Sequence, residues 1–366
     1  MMVKEVRQNS CIKMLWLLVR AGLWENYDAD NTPISADTVN VDWNKVYQHA
    51  LEQSVIGLIA AGLEKVNSIK PPQDIMLKIV GSTIQIEQRN KGMNDFIAEL
   101  IDKMRQEGIY ALVVKGQGIG QCYERPLWRV SGDIDLLLSE DNYEKAKQFL
   151  LSKSTSNKVE GYYSKHFGIT IGGWYVEIHG SLRGGLSSKM DREIDVTQRD
   201  VFYNGNVRSW MNNNTQVFLP GVDEDVFFIF THFVKHFYKE GLGLKQLCDW
   251  CRLLWKFHRD IDMNLLEKRL KRSKLMDEWL VFSAMAVEYL GMPIEAMPLF
   301  SIEKKWHIKA NKIVGYIITG AHFTRVSRWF ATFGIFPINT IRFSPGILFN
   351  LNWLKVKERL FLTSKN

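Results

Sequence analysis

The chain is poor in cysteine and in long apolar runs. Four cysteines are scattered over 366 residues, at Cys11, Cys122, Cys248 and Cys251. They are too few for the disulfide framework of a small secreted domain. No stretch reaches the roughly eighteen apolar residues that a membrane-spanning helix needs, and the apolar residues 14–19 lack the small-residue cleavage site of a signal peptide. We therefore expect no transmembrane segment and a reducing, cytoplasmic setting.

A strong excess of one charge is also missing, except near the C-terminal end. Hydrophobic residues make up 46% of the chain and charged residues 24%, as in ordinary globular proteins. The net charge is +7, but residues 301–366 alone hold eleven Lys and Arg against two acids. This basic, aromatic tail favours either a helical cap or a surface for nucleic acid, a polyanionic sugar or a membrane. Because the remainder is nearly neutral, nucleic acid is a partner that the sequence allows but does not favour.

The period of the hydrophobic residues changes twice along the chain. Apolar residues recur at steps of three and four through residues 93–104, as in an amphipathic helix, and Gly108 lies where that helix would end. Helical spacing returns from Asp223 onward. Between these helical parts, strand patterns occur at 109–114, 133–138, 165–171 and 174–179.

These patterns predict an α+β fold: a small mixed β-sheet core with helices packed on it, flanked by helical regions. The predicted regions are an N-terminal helical region over 1–108, the core over 109–220, and a C-terminal helical region with the basic, aromatic tail over 221–366. Connections are expected at 26–37, 68–73 and 152–158, where turn-forming and polar residues cluster.

Two carboxylates lie one residue apart in Asp133-Ile134-Asp135. Side chains alternate between the two faces of a strand, so Asp133 and Asp135 project to one face. Like charges held so close repel unless one is protonated or a cation lies between them. Mg²⁺ bound by one or two carboxylates together with substrate phosphates is a common arrangement. The pair therefore predicts a metal site for phosphoryl or nucleotidyl chemistry.

A third acid occurs on a later predicted strand, where Tyr175, Glu177 and His179 share one face. If that strand lies beside the one carrying the aspartates, Glu177 completes a three-carboxylate cluster. Such a cluster can hold two Mg²⁺ ions and align an attacking oxygen with the α-phosphate of a nucleotide. His179 either assists this site or is a hydrogen-bonded structural histidine.

A glycine-containing turn, Lys115-Gly116-Gln117-Gly118, follows the first predicted strand. Backbone N–H groups at a helix start bind phosphate. The glycine spacing matches neither the dinucleotide fingerprint nor the P-loop. Lys115 and Arg129 add charge for triphosphate oxygens, with ordinary surface ion pairs as the alternative. We predict phosphate contacts at Lys115, Gly116, Gln117 and Arg129.

The segment Lys115-Gly116, followed later by Arg129-Val130-Ser131-Gly132-Asp133-Ile134-Asp135, resembles the signature of the uncharacterised nucleotidyltransferase family in the polymerase-β-like superfamily. The resemblance covers residues 109–260. It implies that Gly116 is the turn glycine, that Asp133 and Asp135 are the metal-binding pair, and that Glu177 is the third acid. The sequence departs from the superfamily at Gln117, where Gly or Ser is usual, and Glu177 reaches farther than the alternative Asp.

A helix predicted downstream carries His232, Lys235 and His236 opposite a stripe of phenylalanines. The resemblance favours nucleotide or acceptor contacts for these three residues, and a solvated helix face is the alternative. A zinc site is not supported, because no further ligands occur at suitable spacing. Cys248 and Cys251 are expected in the core. Asp249 is expected to form an ion pair with Lys245 or Arg252 on its own helix.

The resemblance implies transfer of a nucleoside monophosphate from a nucleoside triphosphate to a hydroxyl-type acceptor, with release of pyrophosphate. Mg²⁺ is the expected cofactor, with Mn²⁺ as a substitute. The acceptor is a small molecule, a saccharide or a protein. The alternatives are a non-catalytic module of the same fold that binds nucleotide or a protein, and a nucleic-acid-binding protein that acts through the basic tail.

Overall fold

One seven-stranded mixed sheet forms the centre of the computed structural model, which describes residues 9–27, 41–154, 156–157, 165–239, 241–319 and 325–343. The strand order is β3-β4-β5-β2-β1-β7-β6. β2 runs parallel to β5 and β1 runs parallel to β7, while the other neighbours are antiparallel. The strands are β1 Ala111–Val114, β2 Ile134–Leu138, β3 Ser156–Asn157, β4 His166–Ile171, β5 Trp174–His179, β6 Val207–Asn212 and β7 Thr215–Pro220.

Helices precede the first strand, lie between some of the strands and follow the last strand. The N-terminal helices are α1 Ser10–Leu23, α2 Trp43–Glu52, α3 Ile56–Lys65 and α4 Gln73–Gln106. Between strands lie α5 Gly116–Gly120, α6 Glu140–Leu151 and α7 Ser188–Tyr203. The later helices are α8 Val222–Lys239, α9 Leu244–Phe257, α10 Met263–Ser273, α11 Met276–Leu290, α12 Lys304–Thr319, α13 Arg325–Ile335 and α14 Pro337–Phe343.

Alternation along the central strands divides the core between the two faces of the sheet. Ile134, Leu136 and Leu138 of β2 join a cluster with α4 and α6, whereas Leu137 joins the larger cluster that contains α8 and α9. Every residue of β1 and β2 is buried, as expected for strands covered on both faces. Asp135 shares the face of Leu137, so its carboxylate lies on the side of α8 and α9.

The predicted α+β class is confirmed, and the strands predicted at 109–114, 133–138, 165–171 and 174–179 are present with ends shifted by at most two residues. The loop predicted at 152–158 is wrong in part, because Ser156–Asn157 pairs with β4. The β6–β7 hairpin and α7 were not predicted. Of the connection predicted at 26–37, residues 28–37 lie outside the described residues.

All four cysteines are buried and unpaired, and Cys248 and Cys251 lie in the core as expected. Within the described residues, no helix is both long enough and apolar enough to cross a bilayer. The larger core cluster contains residues of all three predicted regions, including α1 and α14. The division into three regions therefore stays a prediction. The cytoplasmic setting also stays a prediction. Of the basic tail, residues 344–366 lie outside the described residues.

Glu278 of α11 is a buried acid that joins two other helices. Its Oε1 accepts hydrogen bonds from the Tyr238 hydroxyl at 2.7 Å and from Asn339 Nδ2 at 2.6 Å. Burial raises the pKa of Glu278 to about 7, despite these hydrogen bonds. Because the folded state holds this proton more tightly than the unfolded state, the contribution of Glu278 to stability is largest below its unfolded pKa and declines as the pH rises through about 7.

We expect Glu278→Gln to stabilise the protein at pH 8 and to have a much smaller effect at pH 5. The neutral amide keeps an acceptor for Tyr238 and removes the cost of a buried negative charge, which amounts to at most about 3 kcal/mol. Thermal unfolding across this pH range measures the effect. Glu267→Gln, at an exposed acid of α10, is the control. A pH-independent difference between wild type and Glu278→Gln would contradict this explanation.

Candidate active site

The parallel pairing of β2 and β5 brings the three predicted acids together. Asp135 and Glu177 are directly opposite in the register of the two strands, and Asp133 lies just before β2. Carboxylate oxygens of Asp133, Asp135 and Glu177 all lie within 4.8 Å of one another. The alternation in the sequence therefore placed the side chains on the correct face, and the strand order supplied the proximity that the sequence left open.

Asp135 is the most constrained of the three acids. Its Oδ1 accepts hydrogen bonds from Lys115 Nζ at 2.8 Å and from His179 Nε2 at 2.7 Å. Burial by itself raises the pKa of this carboxyl group, but Lys115 and His179 outweigh burial and hold the pKa well below its ordinary value. Asp135 is thus negatively charged at neutral pH. Lys115 and His179 both bind its Oδ1 atom.

Asp133 has the opposite electrostatic environment. Burial raises the pKa of Asp133, and the charges of Asp135 and Glu177 raise it further. Lys115 offsets this effect only in part. The cluster therefore carries unrelieved repulsion at Asp133, which a bound cation would remove.

Glu177 is held by a histidine from the neighbouring strand. His166 Nε2 lies 2.7 Å from Glu177 Oε2, and His179 Nε2 lies 3.8 Å from the same oxygen. Burial raises the pKa of Glu177, but the hydrogen bond from His166 and the nearby histidines bring it below the ordinary value. Both contacts involve Oε2, so Oε1 is the oxygen oriented toward other partners.

The turn after β1 adopts an unusual backbone. Lys115 has φ 56° and ψ −140°, and Gly116 follows with φ 32°. A positive φ is costly for a residue with a Cβ atom and occurs mostly at functional sites. At Gly116 an added Cβ would lie 3.4 Å from the carbonyl oxygen of Asp133. This conformation directs the Lys115 amine to Asp135 and starts α5 beside the acids.

Gln117 and Arg129 differ from their predicted environments. The Gln117 side chain is buried and donates to Asn90 Oδ1 at 2.9 Å, so only its backbone remains for a phosphate. Arg129 is also buried and binds both oxygens of Asp249 at 2.7 Å. Arg129 Nη1 also donates to Ser131 Oγ at 3.0 Å. Phosphate contact by these two side chains is therefore not supported, because other residues already occupy their donors.

The partner of Asp249 corrects a second expectation. Asp249 binds Arg129 and the Tyr123 hydroxyl, both outside its own helix. Of the two neighbours expected on the helix, Lys245 lowers the pKa of Asp249 by its charge, whereas Arg252 instead donates to the carbonyl of Cys122 and to Glu25. Burial raises the pKa of Asp249, but Arg129 and Lys245 lower it overall. This buried pair joins α9 to the segment that leads into Asp133.

Asn90 of α4 holds the same segment from the other side. Its amide Nδ2 donates to the carbonyls of Leu127 and Arg129, each at 2.7 Å. Gln117 in turn donates to Asn90 Oδ1. The residues before Asp133 are therefore held by side chains from α4 and α9, and Gln117 of α5 positions Asn90. Such support by neighbouring groups is typical of sites that must hold a defined geometry.

A cavity of about 910 Å³ lies between the acids and helices α8 and α9. The acids Asp133, Asp135 and Glu177 line one wall. The other wall carries basic and imidazole side chains, which are His232, Lys235, His236, Lys239 and Lys245. Of the residues predicted to bind nucleotide, Lys115, Gly116, His232, Lys235 and His236 face this cavity, with Arg129 at its border.

His232 and His236 contact each other across one turn of α8, with their Nε2 atoms 3.0 Å apart. Burial lowers the pKa of His232 well below its ordinary value, and Lys115 and His236 contribute to the shift. His232 is therefore neutral at neutral pH. One of the two Nε2 atoms must donate and the other accept, so the pair is suited to a hydrogen bond with a ligand rather than to neutralising phosphate charge.

Lys245 was not predicted as a site residue. It is half-buried in the cavity wall, and its pKa is lowered by burial and by Arg129. The charges of Asp249, Asp133 and Asp135 act in the other direction. Its position four residues before Asp249 on a helix was the available signal, since that spacing puts both on one face. His166 was also missed, because no pattern in β4 shows which residue lies opposite His179.

Comparisons with known proteins agree with this geometry. The model of the family described as uncharacterised nucleotidyltransferase matches residues 40–291, which include the sheet, the acids and both helices of the cavity wall. No match to the chain was found among curated proteins or among solved structures. Since the matched region covers more than half of the chain, the protein belongs to this uncharacterised nucleotidyltransferase family.

Proposed function

We propose that the protein transfers a nucleoside monophosphate from a nucleoside triphosphate to a hydroxyl-type acceptor, with Asp133, Asp135 and Glu177 as the metal-binding and catalytic acids. The observation that carries the proposal is the convergence of these three carboxylates within 4.8 Å at the wall of a large cavity. Membership of a nucleotidyltransferase family gives the reaction class.

The donor set fits a magnesium ion. Hard oxygen ligands are what Mg²⁺ and Mn²⁺ prefer. Lys115 and His179 bind only Oδ1 of Asp135, and His166 binds Oε2 of Glu177, which leaves the other oxygens of these acids for a metal. When bound, a divalent ion would polarise the α-phosphate and neutralise the charge that develops on it.

The basic wall supports the triphosphate as the donor. Lys115 and Lys245 both line the cavity, and the charges of both interact with those of Asp133 and Asp135. We propose that Lys115, Lys235 and Lys245 bind phosphate oxygens, with the backbone N–H groups of Gly116 and Gln117. His232 and His236 would hydrogen-bond the nucleotide or the acceptor.

The acceptor is proposed to enter through the same cavity. Glu177 is proposed to help activate the acceptor hydroxyl as the third acid of the cluster, with His166 and His179 orienting its carboxylate. A small molecule, a saccharide and a protein side chain all remain candidate acceptors. Activation of the hydroxyl and alignment with the phosphate are the two contributions that the chain itself would supply.

We expect Asp133→Asn and Asp135→Asn to have opposite effects on stability and the same effect on transfer. Without metal, Asp133→Asn removes repulsion and raises the melting temperature, whereas Asp135→Asn breaks the contacts with Lys115 and His179 and lowers it. Each stability change should be about 1 kcal/mol or more. Both variants should lose stabilisation by Mg²⁺ and lose transfer by roughly a thousandfold, since each removes a metal ligand.

Thermal unfolding with and without Mg²⁺ measures the first effect, and pyrophosphate release from each of the four common nucleoside triphosphates with Mg²⁺ or Mn²⁺ measures the second. Asp141→Asn, at an exposed acid in the first turn of α6, is the control. Undiminished pyrophosphate release in Asp133→Asn or Asp135→Asn would end the proposal. An absence of Mg²⁺-dependent nucleotide binding in the wild type would favour the non-catalytic alternative.

We expect Lys245→Met to raise the KM for the nucleoside triphosphate about tenfold or more, with a smaller effect on kcat. The loss corresponds to one charge-assisted hydrogen bond to phosphate, about 1.5–3 kcal/mol. Steady-state pyrophosphate release gives both constants. Lys256→Met is the matched control, because Lys256 is an exposed lysine of the same helix. Equal KM values for wild type and Lys245→Met would show that Lys245 does not bind the triphosphate.

A further inference from the structure

Two imidazole nitrogens and one carboxylate oxygen converge beside the three acids. His166 and His179 are opposite each other in the antiparallel pairing of β4 and β5, and their rings stack with centroids 4.5 Å apart and planes 14° apart. Their Nε2 atoms lie 2.7 Å and 3.8 Å from Glu177 Oε2. Ligand atoms of the three residues lie within 4.8 Å of one another.

This arrangement meets the geometric needs of a mixed nitrogen and oxygen metal site. Donors about 2.1 Å from one ion are at most about 4.2 Å apart, so both measured distances to Oε2 are short enough. Binding of an ion would replace the hydrogen bonds that His166 Nε2 and His179 Nε2 donate to Glu177 and Asp135. Three protein ligands with a further position open toward a cavity are typical of an exchangeable or catalytic metal site.

Access and burial also fit a bound ion. The His179 side chain is 8% exposed and that of Glu177 18% exposed, whereas that of His166 is 39% exposed. His166, Glu177 and His179 all line the cavity. The site is thus enclosed on the side of the sheet and open at His166, which provides the entry path that a metal site requires.

The ligand types distinguish this site from the carboxylate cluster. Imidazole nitrogen favours first-row transition metals such as Co²⁺ and Zn²⁺, whereas Mg²⁺ prefers oxygen. We propose that His166, His179 and Glu177 form a second metal site, which binds a divalent first-row transition metal and shares Glu177 with the carboxylate site. The proposal goes beyond nucleotidyl transfer, because this ion is expected to bind without nucleotide.

Co²⁺ titrated by calorimetry into the full chain, with excess Mg²⁺ and no nucleotide, tests the proposal. We expect one Co²⁺ per chain and visible absorption bands of a cobalt site with nitrogen ligands. His166→Gln should lower Co²⁺ affinity about tenfold or more, since Gln can still hydrogen-bond Glu177 but supplies no imidazole. Asp133→Asn should retain Co²⁺ binding, because Asp133 belongs only to the carboxylate cluster.

His49→Gln is the matched control, because His49 also contacts a glutamate, Glu52, at 3.3 Å but belongs to no candidate metal-binding group among the described residues. If His166→Gln does not fold, pulsed electron paramagnetic resonance of Cu²⁺ in the wild type detects imidazole nitrogen directly. Absence of a nitrogen signal would overturn the proposal. Equal Co²⁺ affinity in wild type and His166→Gln, or loss of binding in Asp133→Asn as well, would also overturn it.

The two proposals can fail separately. A wild-type protein that binds Co²⁺ through His166 but releases no pyrophosphate would contradict the proposed function alone. A protein that releases pyrophosphate with Mg²⁺ and binds no Co²⁺ would contradict only the second metal site.

Discussion

The pairing of Asp135 with Glu177 across parallel strands concentrates negative charge that the rest of the site must offset. Lys115 and His179 offset it at Asp135, and His166 offsets it at Glu177. Asp133 is left with a raised pKa. The metal-free site is therefore balanced at two acids and repulsive at the third, so a cation gains most at Asp133. Acids whose mutual repulsion shifts a pKa in this way are common at functional sites.

A second buried ion pair sets the position of Asp133. Arg129 Nε and Nη2 donate to the two carboxylate oxygens of Asp249. Removing one partner of such a buried ion pair costs about 3–5 kcal/mol, because the other charge stays buried. The pair joins the segment before β2 to α9, and Asn90 joins that segment to α4. Helices outside the sheet are thus parts of the site's framework, and both of these helices lie within the family match over residues 40–291.

Local sequence patterns predicted the face of each acid but not its neighbours. Alternation of side chains in Asp133-Ile134-Asp135 and along β5 is a property of single strands, so the face of each acid could be predicted from the sequence. Which strands are adjacent depends on the whole chain, and the environment of His166 follows from that order. The environments of Arg129 and Gln117 follow from the packing of α9 and α4. The β6–β7 hairpin was missed since its outer strand alternates between exposed and half-buried residues and lacks a strong apolar pattern. Lys245 was assigned to a local ion pair because helix spacing shows neighbours in sequence and not neighbours across a cavity.

The two walls of the cavity carry opposite charges, and the ligand must be compatible with both. Three acids without cations would repel a triphosphate, and several lysines alone would bind any polyanion without selecting one. Together they suit a ligand that brings phosphates to the lysines and divalent ions to the acids at the same time. A nucleoside triphosphate with its metal ions has this distribution of charge. Neutral His232 and its partner His236 lie in the basic wall and are suited to hydrogen bonds with groups that carry no charge. This distribution of charge therefore supports our proposal that the donor is a metal-bound nucleoside triphosphate.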